Sequence, residues 1–332
     1  MAQSGLERLI IKVNFMINTI PSTPIQKLPN YLLELYNKED SFKSSMALHR
    51  IEKQLTKVIN KIKSRENIKK LAFAFSSRSI NYWINGKRPI TIKNLFILLN
   101  KLKELDNKDK YHHEVLDEIY KNVKFYSFNH IKPKKIPKLI TPQCSYLFGY
   151  HLGDVYLTNH YSISYSDASS EQLQFIKLLF KENYETEGKI IKDNRFEMFY
   201  LILYSKFLSM FLDKVIEIPV GRKNEIIIPS IIEISPLKIK KYFSGGFIDA
   251  DGGIGSHSLT VTQTSNLILI FIRKVLKKFK INSNIRGPYG PYKNGINPEW
   301  KLQIDKRGDL KKLKDENICF HPHINKRLEE IL

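Results

Sequence analysis

Cysteine is nearly missing from this 332-residue chain, with only Cys144 and Cys319 present. Two thiols cannot build a disulfide framework or a cysteine-rich zinc site, so both are expected to be small core residues in a reducing compartment. Acidic residues are scarce beside basic ones, 33 Asp plus Glu against 54 Lys plus Arg, which leaves a formal charge of +21. That balance points to a polyanionic partner. Long apolar runs are lacking too. Glu7, Arg8 and Lys12 break the opening segment, and no later stretch approaches ~18 uncharged apolar residues. The expectation is an intracellular protein, cytoplasmic or in an organellar matrix, with no membrane partner. The 42% hydrophobic content supplies material for real cores.

Apolar residues recur at three- and four-residue spacing in NYLLELYNKED, ALHRIEKQLTKVINKIKSRENIKKLAFAF and TIKNLFILLNKLKEL, so residues 1–127 read as a mainly helical domain. Within it, residues 68–104 resemble a helix-turn-helix unit. Its second helix is expected to begin at Ser76 or Ser77, whose hydroxyls suit an N-cap, and to stop at the Asn85–Gly86 pair. In such a unit that helix lies in the major groove, which makes Arg78, Ser79, Asn81 and Tyr82 candidate base readers. Lys87 and Arg88 are then candidate phosphate contacts. Residues 128–142, where Pro133, Pro137 and Pro142 alternate with lysines, read as an extended basic linker.

Beyond residue 143 the pattern changes to alternating strands and helices, and it occurs twice, over 143–240 and 241–332. The first copy runs from YLFGYHLGDV through YSISYSD, SSEQLQFIKLLFKENY and RFEMFYLILYS to KFLSMFLDKV. The second runs from SGGFIDADGGI through SLTVTQT, NLILIFIRKVLKKF and WKLQID to DLKKLKDEN. Gly149 to Gly246 and Asp154 to Asp251 are both intervals of 97 positions, so the two local motifs keep one internal register.

FSGGFIDADGG, Phe243 to Gly253, resembles the LAGLIDADG motif of homing endonucleases, matching it at Gly246, Asp249, Ala250, Asp251 and Gly252. LFGYHLGDV, Leu147 to Val155, matches at Gly149 and Asp154, with Leu152 in place of the first acid and Val155 in place of the last glycine. The resemblance covers residues 143–332 and implies a single-chain, two-motif member: an α+β, pseudo-twofold αββαββα core, monomeric, with an internal dimer interface. Two short helices can pack at close range only where small residues meet, and Gly149, Gly153, Gly245, Gly246 and Ala250 supply that lack of bulk. The helix ends would then bring Asp154 and Asp251 side by side, where two carboxylates repel unless divalent cations neutralise them. Asp249 is expected to support the helix end rather than to bind metal.

The family resemblance implies that Asp154 and Asp251 hold Mg2+, with Mn2+ able to stand in, and that Lys223 and Lys326 are catalytic lysines of the two halves. It also implies antiparallel saddle sheets over double-stranded DNA, cut in both strands across the minor groove. Ser162, Ser164 and Ser166 would share one strand face, and Thr260, Thr262 and Thr264 another. With Lys192, Arg195, Arg286, Lys293, Lys301, Gln303 and Arg307 they are the candidate groove and phosphate contacts. Two alternatives stay open: a non-cleaving, DNA-binding transcriptional regulator built on the same core, and an RNA maturase acting on intron RNA.

Overall fold

The computed structural model describes residues 46–49, 51–65, 75–105, 114, 118–119, 125–128, 134–135, 140–157, 162–220, 226–290 and 298–332. They divide into two units, one before Ile140 and one from Ile140 to Leu332. Lys223, Lys293, the opening helix NYLLELYNKED and the first helix of the helix-turn-helix pattern lie outside the described residues.

In the N-terminal unit, helices α1 (Glu52–Arg65), α2 (Ser77–Ile84) and α3 (Ile92–Leu105) bury one face each, through residues such as Leu55, Val58, Ile62, Ile80, Trp83, Leu95 and Leu99. Ser76 caps α2, its hydroxyl accepting the Ser79 N–H at 3.1 Å, and Gly86 turns the chain away at φ +66, a value that favours glycine. The helices are joined by a sheet that periodicity did not announce. Strands β1 (Met46–His49), β2 (Ile90–Thr91), β3 (Phe125–Phe128) and β4 (Lys134–Lys135) pair antiparallel in the order β2-β1-β3-β4. β4 falls inside the stretch read as a linker. An extended Pro- and Lys-rich segment suits a sheet edge, where proline costs no ladder bond and lysine discourages further pairing.

The second unit contains one seven-element pattern twice. Its first half is α4 (Pro142–Asp154), β5 (Val155–Leu157), β6 (Ser162–Asp167), α5 (Ser170–Tyr184), β7 (Lys189–Asp193), β8 (Met198–Tyr204) and α6 (Lys206–Met210), which runs on into a π-helical turn, Phe211–Val215. After α7 (Ser230–Glu233), the second half is α8 (Leu237–Asp251), β9 (Gly252–Ile254), β10 (Leu259–Gln263), α9 (Asn266–Lys278), β11 (Asn284–Tyr289), β12 (Glu299–Ile304) and α10 (Arg307–Asp315), closed by α11 (Pro322–Ile331). The sheets have matching orders, β5-β6-β8-β7 and β9-β10-β12-β11, antiparallel throughout. The architecture is α+β and duplicated.

Each sheet hides one face, because strand residues alternate. Ile163, Tyr165, Leu201 and Leu203 are buried in the first, and Leu259, Val261, Leu302 and Ile304 in the second. Helices cover those faces, with α9 contributing Ile268, Leu269, Ile272, Val275 and Leu276 from one stripe. Every residue of α4 from Pro142 to Leu152 is buried, so this helix has no solvent face and belongs at the centre. Its partner there is α8, buried from Tyr242 to Asp249.

Candidate active site at the paired helix ends

The backbones of α4 and α8 touch. A methyl group at Gly149 would overlap the carbonyl oxygen of Phe243, and one at Gly246 would overlap that of Tyr146. Phe243 and Gly246 stand 97 positions after Tyr146 and Gly149, so the two contacts are images of each other across a pseudo-twofold axis. Lower down, a methyl at Gly153 would collide with the side chain of Ala250 and lie 3.1 Å from Asp251 Oδ2. Gly245, expected in this interface, instead faces the carbonyl oxygen of Ile318, because on a helix the residue next to Gly246 points about 100° away.

Both helices end on an acid, and both acids reach solvent: Asp154 is exposed and Asp251 half-buried. The Asp251 carboxylate lies against Gly153, the residue preceding Asp154, so the two acids share one end of the helix pair. Each helix C-terminus adds its own partial negative charge. Gln263, at the end of β10, donates its amide to Asp251 Oδ2. Sequence reasoning missed it. The available signal was a polar residue continuing the inward alternation of Leu259 and Val261. Asp167 occupies the corresponding place on β6, in line with Ile163 and Tyr165.

Asp249 is buried, and its Oδ2 accepts the Tyr146 hydroxyl at 2.7 Å and the N–H groups of Phe320 and His321 at 2.6 and 3.0 Å. Burial raises its carboxyl above the ordinary value, against the lowering pull of His321 and these donors. It is a structural anchor for the segment ahead of α11. Burial and the neighbouring Asp249 keep the Tyr146 hydroxyl far above its usual range, and burial with Asp167 does the same for Tyr150, so both remain donors. Cys144 and Cys319 are buried thiols, Cys144 donating weakly to Asn183 Oδ1.

A family model described as a LAGLIDADG-like domain matches residues 239–317. The chain carries a LAGLIDADG-like domain. Among solved structures, mesophilic variants of the homing endonuclease I-DmoI match at 17% identity and TM-score 0.43, over 57% of this chain and 97% of that one. The N-terminal LAGLIDADG domain of DUF199/WhiA matches at 16% identity and TM-score 0.37, over 56% and 82%. Full-length DUF199/WhiA from Thermatoga maritima matches at 18% identity and TM-score 0.40, over 57% and 59%. Among curated proteins nothing matches.

The donor set at the end of the α4–α8 pair fits a hard divalent cation. Among the described residues no cluster of three or more His, Cys, Asp or Glu could hold a metal ion, and the two carboxylates at this helix end are oxygen donors. Hard divalent cations prefer oxygen ligands and keep several waters, so one or two carboxylates can suffice. Lys326 is exposed on α11, which packs against β9, the strand that continues from Asp251.

Opposite the helices, the LAGLIDADG-like domain presents the open face of its sheet. Residues paired across antiparallel strands share a face, so Thr260, Gln303 and Asn284 form one row and Thr262, Lys301 and Arg286 the next. Five of these six were expected, and Asn284 was not. Thr264 lies past the end of β10, on an exposed bend. Arg307 is on α10, bonded to the carbonyl of Leu332, and off the sheet. In the first half Ser162, Ser164 and Ser166 line up with Tyr204, Ile202 and Tyr200, and Lys189 joins the row of Ser164. Lys192 pairs with Phe199, which in turn pairs with Asp167, and this row lies on the side opposite the serines. Arg195 sits in the β7–β8 turn, bonded to both Asp193 oxygens at 3.1 and 2.9 Å. In the N-terminal unit, Arg78, Asn81, Lys87 and Arg88 are exposed, and Ser79 and Tyr82 are half-buried. Arg78 and Arg88 both stack on the Tyr82 ring, 5.5 and 5.1 Å from its centroid.

Proposed function

We propose that this chain is a metal-dependent, site-specific endonuclease of double-stranded DNA, acting as a monomer whose two halves each address one strand. The observation that carries the reading is that Asp154 and Asp251 end the two helices of a glycine-packed pair, with the Asp251 carboxylate against Gly153. A surface that only binds has no use for two repelling acids at converging helix C-termini. Asp154 and Asp251 would hold Mg2+ or Mn2+, which when bound supplies an activated water and stabilises charge on the phosphate oxygens. Gln263 orients the Asp251 carboxylate by donating to Oδ2. The polar rows on the second sheet, Thr260, Gln303 and Asn284 with Thr262, Lys301 and Arg286, offer donors to a groove and cations to phosphates. Lys326 and Lys223 are proposed to stabilise developing phosphate charge. Lys87 and Arg88 on the N-terminal unit are proposed as further phosphate contacts, and Arg78 as a base reader.

The test is incubation of the purified chain with a plasmid carrying its own genomic flanks, in Mg2+ and in EDTA. Linearisation at one place that EDTA abolishes is the expected outcome. Specific binding without cleavage in either Mg2+ or Mn2+ identifies a regulator, and preference for structured intron RNA over DNA in competition identifies a maturase.

A further inference from the structure

His321 belongs to neither the acid pair nor the sheet face, yet its bonds cross the molecule. Its Nδ1 accepts the His323 N–H at 3.2 Å, capping α11, which places the ring proton on Nε2. Nε2 lies 3.2 Å from Asp167 Oδ2, and the two side chains are only 12% and 11% exposed. Asp167 also accepts the Tyr150 hydroxyl at 2.7 Å and the Ser169 N–H at 2.6 Å. Burial raises the Asp167 carboxyl, but His321, Ser169 and Tyr150 outweigh it and hold the group below its ordinary value, so it is an acceptor at neutral pH.

The chain of bonds has a direction. It starts at the cap of α11 in the second half, passes through Asp167 on β6, and ends at Tyr150, one helical turn before Asp154 on α4. Phe320 reinforces the crossing, its ring 5.5 Å from Tyr146 and 6.0 Å from Phe175 in the first half. The corresponding place in the second half is filled differently, since Gln263 donates straight to Asp251. An ionised Asp167 has no proton for such a bond, and its lone pairs serve the crossing instead.

We propose that His321, Asp167 and Tyr150 form a latch between the halves, three positioning residues that seat α11 on the first half and fix the turn presenting Asp154. The inference rests on the proposed metal site at the acids, and on the endonuclease reading only for its cleavage readout.

The experiment uses the full chain with His321→Ala, Asp167→Asn, the double variant and His321→Gln, whose amide nitrogen can take the place of Nε2. Mn2+ affinity, with Asp251→Asn as the control for binding at the acids, is measured alongside hydrogen exchange in α4 and α11 and DNA cleavage. Each single variant is expected to weaken Mn2+ binding about tenfold, as loss of a partner behind the ligands does, and to speed exchange in α11 and the last turn of α4. The double variant is expected to be no worse than the weaker single one, because both break one chain. His321→Gln is expected to regain most of the affinity. Mn2+ affinity within about twofold of the parent in the single variants, whatever the exchange, overturns the positioning role. A parent that binds Mn2+ and leaves DNA intact removes the endonuclease reading while the latch is still judged on affinity. A parent that binds no Mn2+ overturns both.

Discussion

A single methyl group separates a working helix pair from a broken one at two positions. At Gly149 and Gly246 a Cβ would strike backbone carbonyls of the facing helix, which cannot rotate away as a side chain can. Gly246→Ala is therefore expected to lower stability by about 1–3 kcal/mol or more, read as a shifted urea midpoint. Gly253 is the internal control, since a Cβ there meets nothing within 4 Å, and Gly253→Ala should leave the stability within about 0.5 kcal/mol of wild type. Asp167 makes a separate prediction. Its folded value lies below its ordinary one, so its contribution is present at neutral pH and is lost as pH falls through the folded value. The stability gap between wild type and Asp167→Asn should hold at pH values well above about 3.9 and shrink in acid. A gap that widens in acid would contradict the bonding described for this carboxylate.

At the scale of elements, strand register decides which residues share a face. Arg286 and Lys301 stand side by side with Thr262 on the open side of the second sheet. Replacing either cation by alanine is expected to weaken DNA binding across sequences and to reduce the slope of log affinity against log salt by about one. An unchanged slope would place the DNA elsewhere. The sequence already showed much of this architecture. The 97-residue interval located both acids, and the alternation in SLTVTQT and WKLQID located most of the open face. What escaped it were contacts between elements. Lys192 reads as a groove cation until its pairing with Phe199 turns it to the other side. Gly245 reads as part of the GG step in the interface until the Ile318 carbonyl is seen against it. Gln263 and Asp167 look like strand ends, and their roles emerge only when a helix terminus is packed beside each.

Across the whole molecule, the duplicated unit combines near-symmetry at its centre with asymmetry around it. The glycine contacts on α4 and α8 repeat almost atom for atom, while the residues supporting the two acids differ, an amide in one half and a carboxylate relay in the other. Leu152 and Asp249 are likewise equivalent by interval but not by role, because only the second anchors the closing segment through Phe320 and His321. The formal charge of +21 is consistent with a polyanionic partner for such a surface. The central claim is that the paired acids cut DNA. It is tested most directly by the rate of cleavage of a duplex carrying the genomic site in Mg2+, comparing wild type with Asp154→Asn and Asp251→Asn at matched DNA affinity. The account predicts that either substitution lowers the rate by roughly a hundredfold or more while binding persists, the scale of losing one preorganised electrostatic group. Cleavage at the wild-type rate in both variants, or none in the wild type, would contradict it.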